Sequence, residues 1–207
     1  DSDGDGIRDM IEAGDEDLET APVDNDGDEM PDFQDVDSDN DFISDTEEAF
    51  LNVTDVELTD TDQDGIYDYL DDDSDGDGIL DLDEAGDEDL LTPAIDSDGD
   101  STKDFRDLDS DDDLIADAIE AGDEDPQTAP VDTDEDGVPD YLDEDADADT
   151  ISDMEEGSVG TLGEAPLDSD EDGTPDYLDT DADDDGLPDI DEVADDDVNS
   201  LADDTDE

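Results

Sequence analysis

The chain has 207 residues, of which 86 are Asp or Glu against three Lys or Arg, giving a formal charge of −83 with 29% hydrophobic residues and neither His nor Cys. That balance excludes an ordinary oily core, disulfide staples, and nucleic acid or anionic membranes as direct partners. No apolar run approaches the ~20 residues of a membrane span, so cations and basic surfaces remain.

The stretch "DSDGDGIRDMIE" at residues 1–12 sets a pattern with acids at positions 1, 3, 5, 9 and 12. Position 7 is expected to turn its backbone carbonyl inward. In the first repeat, residues 1–36, a long-spaced loop carries Asp1, Asp3, Asp5, Asp9 and Glu12 around Ile7. A short-spaced loop follows with Asp24, Asp26, Asp28, Asp32 and Asp35 around Met30. The second repeat, 37–72, has Asp37, Asp39, Asp41, Asp45 and Glu48 around Ile43, then Asp60, Asp62, Asp64, Asp68 and Asp71 around Ile66. The third, 73–108, has Asp73, Asp75, Asp77, Asp81 and Glu84 around Ile79, then Asp96, Asp98, Asp100, Asp104 and Asp107 around Thr102. The fourth, 109–144, has Asp109, Asp111, Asp113, Asp117 and Glu120 around Ile115, then Asp132, Asp134, Asp136, Asp140 and Asp143 around Val138. The fifth, 145–180, has Asp145, Asp147, Asp149, Asp153 and Glu156 around Ile151, then Asp168, Asp170, Asp172, Asp176 and Asp179 around Thr174. A partial sixth, 181–207, has Asp181, Asp183, Asp185, Asp189 and Glu192 around Leu187.

The metre is 36 residues, divided into 23 and 13, without one insertion or deletion. All 55 of the chosen positions are acidic, with Glu at position 12 in long loops and Asp there in short ones. Random placement at this composition would give that with probability roughly 10⁻²¹, so the acids are placed. A strict period of this kind marks a repeat architecture in which each unit leans on its neighbours.

Carboxylates at 1, 3, 5, 9 and 12 with a carbonyl at 7 are the oxygen ligands that a hard cation takes, and Ca²⁺ accepts six to eight of them in tolerant geometry. Zinc and copper lack their His and Cys ligands. Mg²⁺ is too strict an octahedral ion for such a cage, and lanthanides fit without being selected. The ligand order is that of an EF-hand loop, but flanking helices have no room, because one short loop ends at Asp35 and the next long loop begins at Asp37. The expected fold is therefore irregular: a linear, elongated, calcium-stabilised array of wrapping loops with little regular secondary structure. At least 11 ions are expected, up to about 20.

The consecutive motifs "DTDQDGIYDYLD" at 60–71, "DTDEDGVPDYLD" at 132–143 and "DSDEDGTPDYLD" at 168–179 resemble the thrombospondin type 3 repeats, in which long and short units alternate. The resemblance covers essentially the entire chain and is closest to the cysteine-free versions of microbial surface proteins. It implies a chain wound around calcium ions, an extracellular or cell-surface location, and room for two ions per unit. Candidates for the second ion are Asp15 and Asp17, Asp87 and Asp89, Asp123 and Asp125, and Asp195 and Asp197. The linkers at 50–59 and 158–167 lack such acids, so fewer ions are expected there.

Glycine is missing from position 6 in five loops, at Glu29, Phe42, Ser101, Leu114 and Thr150. A left-handed backbone there costs on the order of 1 kcal/mol. Position 10 of every short loop is aromatic: Phe33, Tyr69, Phe105, Tyr141 and Tyr177. These rings are expected to pack against the position-7 Ile of adjoining units, the alternative being a stacking ladder for glycans. Pro22, Pro93, Pro130 and Pro166 punctuate the linkers, leaving short helical turns around Ile11 to Ala13 and Ala118 to Ala121. Thr-Ala-Pro tripeptides and Asn52-Val53-Thr54 match glycosylation patterns that plain linkers also match.

The sequence thus points to a non-catalytic structural protein, a calcium-stiffened spacer, stalk or fibre able to self-assemble and cut from a longer polypeptide. Two alternatives stand beside it: a calcium-buffering or mineral-nucleating matrix protein, and a calcium-dependent adhesion module. Without metal, the chain is expected to be expanded, since it cannot bury enough apolar surface to offset its conformational entropy.

Overall fold

The computed structural model describes residues 2–14, 20–52, 55–87, 89–122, 126, 128–157 and 160–192. It is irregular, as the metre implies. Each long loop closes on one α-helical turn: α1 (Asp9–Glu12), α2 (Asp45–Glu48), α3 (Asp81–Glu84), α4 (Asp117–Glu120), α5 (Asp153–Glu156) and α6 (Asp189–Glu192). Each short loop closes on a 3₁₀ turn, at Asp32–Gln34, Asp68–Leu70, Asp104–Arg106, Asp140–Leu142 and Asp176–Leu178. The linker at 50–59 forms a two-stranded antiparallel hairpin, β1 (Phe50–Asn52) with β2 (Asp55–Glu57), in the register Leu51 to Val56. That strand pairing is an addition to the sequence expectation.

The turns are short for local reasons. Position 8 is extended, as at Pro31 (φ −70°) and Ser44 (φ −88°), and the 3₁₀ turns end on an extended position-12 Asp, as at Asp35 (φ −99°). The turns in the first, third and fourth repeats stop at glycines with positive φ, Gly14, Gly86 and Gly122. A Cβ on Gly122 would lie 2.2 Å from Val131 Cγ2, so the linker folds back too closely for any other residue.

Inside every described loop the backbone turns left-handed twice, at position 4 and again at position 6. Position 6 follows the sequence expectation, including Glu29 (φ 85°), Phe42 (75°), Ser101 (91°), Leu114 (78°) and Thr150 (87°). Position 4 was not foreseen, and Gln63, Glu135, Ala148 and Glu171 adopt it without glycine's freedom.

The chain forms two compact units, Asp1–Asp96 with Ser101–Asp107, and Ser97–Asp100 with Leu108–Glu207. The first holds two small apolar clusters: Ile7, Ala49 and Tyr69, with Ile11, Leu58 and Leu70 against them, and Ile43, Ala85, Ala94 and Phe105, with Phe42. The second holds Ile115, Ala146 and Tyr177, flanked by Ile119 and Leu178. Each cluster joins the position-7 Ile of one repeat to the position-10 ring of the next. The rings therefore serve as inter-repeat packing. Tyr69, Phe105, Tyr141 and Tyr177 are all buried and Phe33 is half-buried, which favours packing for these rings.

One contact owes nothing to acids alone. Arg106 stands where other short loops have Leu70, Leu142 or Leu178. Its Nε and Nη2 donate to Asp68 Oδ2 at 2.7 and 2.6 Å, Nη2 donates to the Glu48 carbonyl at 2.5 Å, and the guanidinium lies 4.6 Å from the centre of the Phe105 ring.

Candidate cation-binding loops

The chain's hydrogen bonds divide the acids by task. Position 9 is the clasp of each loop. Its N–H donates to the carbonyl of the residue preceding the loop, as from Asp45 to Val36 (3.1 Å) and from Asp153 to Glu144 (3.1 Å). Its carboxylate accepts from position 2: Ser38 donates its N–H and Oγ–H to Asp45, both at 2.8 Å, and Thr133 does the same to Asp140 at 2.7 Å. Ser or Thr at position 2 in eight of the eleven loops is the sequence signal for this clasp, and the sequence reading missed it.

Positions 3 and 5 each give one oxygen to turning the chain. Asp111 Oδ1 accepts from the Asp113 N–H at 3.1 Å, and Asp113 Oδ1 from the Ile115 N–H at 2.6 Å. The same pair of bonds runs through Asp75, Asp77 and Ile79 and through Asp147, Asp149 and Ile151. Position 1 accepts from later in the loop, as Asp109 does from the Leu114 N–H at 3.3 Å.

What remains in the long loops is a set of inward oxygens. Oδ2 of Asp3, Asp5, Asp41, Asp75, Asp77, Asp111, Asp113, Asp147 and Asp149 is buried without a hydrogen-bond partner, as are both carboxylate oxygens of Asp39, Glu12, Glu48 and Glu120. Glu48 is 0% exposed and Glu120 1%. Such atoms cost several kcal/mol each if nothing compensates them. In the first and second long loops they converge, with oxygens of Asp3, Asp5 and Glu12 lying within 4.8 Å of one another and those of Asp37, Asp39 and Asp41 likewise. A spread of 4.8 Å is about twice the Ca²⁺–oxygen distance of ~2.4 Å. The donor set and its orphaned atoms therefore fit a hard cation, and the clustered acids are able to bind metal ions.

The electrostatics agree. Burial first, and then neighbouring carboxylates, raise Glu120 to about 11, Glu156 to about 10, Asp75 and Asp153 to about 9, and Glu12, Asp81 and Asp111 to about 8. Asp39 and Glu48 are raised for the same reasons.

The short loops are built differently. Oxygens of Asp24, Asp26 and Asp28, and of Asp60, Asp62 and Asp64, again lie within 4.8 Å, but nearer the surface. Their orphaned buried atoms are at position 1, Oδ1 of Asp60, Asp132 and Asp168. Position 12 is bound to the following loop: Asp35 Oδ1 accepts from the N–H groups of Val36 (2.9 Å) and Asp37 (3.3 Å), and Asp143 Oδ1 from Asp145 (3.1 Å). The shorter Asp side chain suits that local bond, whereas Glu reaches the cage. The position-7 residues of the first five repeats divide the same way, with Ile7, Ile43, Ile79, Ile115 and Ile151 buried and Met30, Ile66 and Val138 exposed, whereas Leu187 of the sixth long loop is exposed.

Of the second-ion candidates, Asp87 and Asp89 are exposed and tied into a local turn with Thr92, which donates to Asp87 at 2.7 Å. Asp1, Asp15, Asp17, Asp123, Asp125, Asp195 and Asp197 lie outside the described residues, as does the side chain of Glu192. No helix among the described residues is long and apolar enough to cross a membrane. Comparison with family models and with curated proteins finds no match to this chain.

Proposed function

We propose that the protein is a calcium-binding structural repeat protein whose loops order around Ca²⁺ to form a stiff extracellular spacer, stalk or fibre. The observation that carries this reading is the set of buried, partnerless oxygens at positions 3, 5 and 12 of the long loops. The resemblance to thrombospondin type 3 repeats, the all-oxygen donor set and the strict metre support calcium over softer ions. At millimolar calcium, sites of the affinity usual for extracellular modules contribute roughly 0.5 to 1.5 kcal/mol each. One site cannot order a repeat, but eleven coupled ones sum to on the order of 10 kcal/mol, so folding is conditional on the ion. The residues named bind and orient the ion; no catalytic step is assigned to them. The test is removal of calcium with a chelator while circular dichroism and hydrodynamic radius are followed. A large, reversible expansion is expected, and an unchanged radius overturns the reading.

A further inference from the structure

The acidic cage of the long loop at 37–48 is joined by a carboxylate of the long loop that follows it. Oxygens of Asp41, Glu48 and Asp81 lie within 4.8 Å of one another. Asp41 and Glu48 belong to the loop at 37–48, but Asp81 is the clasp of the loop at 73–84. Asp81 is 0% exposed, and its carboxylate is held in place by the Ser74 N–H (2.8 Å) and Oγ–H (2.6 Å). Each carboxylate oxygen has a second lone pair to offer. Glu48 is the independent sign of a ligand: it is fully buried, with both oxygens partnerless.

The same sequence spacing recurs: Asp45 follows Glu12, Asp153 follows Glu120 and Asp189 follows Glu156 at the interval that separates Asp81 from Glu48, each being the clasp of the following long loop. The first of these pairs is also fixed by geometry, since Thr46, beside Asp45, donates its hydroxyl to the Asp5 carbonyl at 3.0 Å.

We propose that a long-loop cation is bridging: the position-9 Asp of one long loop completes the site formed by positions 5 and 12 of the long loop before it. The inference rests on the reading of these loops as calcium sites and deepens it. A site assembled from two repeats binds its ion fully only when the following loop is folded, and an ion bound there holds that following loop in place. Within a unit, coupling therefore passes from one long loop to the next, as in other repeat proteins.

The test is a double-mutant cycle read by native mass spectrometry in calcium, with Glu48→Gln, Asp81→Asn and the two combined. If both side chains serve one ion, each single variant carries one Ca²⁺ fewer than the parent and the double variant carries no fewer than either single. A double variant that loses a further ion, or an Asp81→Asn protein with the parental count, overturns the bridge while leaving the calcium reading intact. A parent protein that takes up no calcium overturns both. Ser74→Ala removes the hydroxyl bond of the clasp but keeps its backbone N–H bond and the carboxylate, so its count should equal that of the parent; a matching loss there would reduce Asp81 to a purely structural role. The same cycle on Glu120 and Asp153 repeats the test in the second unit should Asp81→Asn fail to fold.

Discussion

Long and short loops share four of their five acids and both left-handed turns, yet the structure uses them differently. In the first five long loops the position-7 Ile is buried and Glu at position 12 carries buried oxygens, and Asp81 of the third repeat stands beside Glu48 of the second. In a short loop, Asp at position 12 bonds to the chain that follows, and positions 3 and 5 stay near water. One methylene thus accompanies the difference between a cluster of buried acidic oxygens and one nearer the surface. The energetic consequence is that the long loops contain most of the uncompensated charge.

The largest separation between the classes should come from pH in metal-free buffer. Long-loop groups such as Glu120 (about 11), Glu156 (about 10) and Asp153 (about 9) have folded values far above the ordinary carboxylate range. The short-loop Asp71 rises only to about 6, and Asp172 is lowered by its hydrogen bonds to Thr174. A raised folded value means that the folded state holds more protons than the unfolded one. Its stabilising contribution is present below about pH 4 and is lost as pH climbs through the window from about 6 to 11. The metal-free protein should therefore contract on going from pH 8 to pH 5, as measured by small-angle scattering, and calcium affinity should rise in the opposite direction, from pH 5 to pH 8, as protons leave the ligands. Equal compactness at both values would break the distinction drawn between buried and exposed loops.

Substitution of position 12 should give effects of opposite sign in the two solvents. Glu120→Gln weakens a buried site and should lower stability in calcium by about 3 kcal/mol, the usual cost of breaking one buried ionic arrangement. The same change removes a buried carboxyl that must take up a proton to sit in the empty cage, so without metal it should make the protein more compact than the parent. Asp134→Asn in an exposed short loop should cost under about 1 kcal/mol in calcium. Chemical denaturation at fixed free calcium measures both.

The apolar residues should follow the same division. Ile115→Ala opens a cavity between Ala146 and Tyr177 and should cost about 2–4 kcal/mol in calcium, whereas Val138→Ala, at an exposed position 7, should lie within about 0.5 kcal/mol of the parent. Equal losses by thermal denaturation would mean that the clusters do not join repeats. A small effect is also expected from Arg106→Leu, which restores the residue of neighbouring repeats. Loss of the partly exposed pair with Asp68 should cost about 1 kcal/mol, more at low salt than at high.

The loop and its metre were legible from the residue pattern because ligation by a continuous segment is a local property. Acids at positions 1, 3, 5 and 12, the left-handed position 6 and the helical turns after Asp9 and Asp117 all depend on neighbours within a few residues. The clasp at position 9 was written in the sequence too, as Ser or Thr at position 2, but a carboxylate that folds a loop and one that binds an ion look alike in a sequence this acidic.

Sequence by itself determined that this chain is a strict array of acidic twelve-residue loops with rings in every short unit, because period, charge and residue type are properties of the chain read once along its length. Tertiary structure alone decided which oxygens are left without partners, that Ile43 meets Phe105 and Ile115 meets Tyr177, and that Asp81 faces Glu48. Those pairings lie 33 or 62 residues apart, and at such separations it is the path of the folded backbone, not the local pattern, that chooses which of many identical aspartates come together.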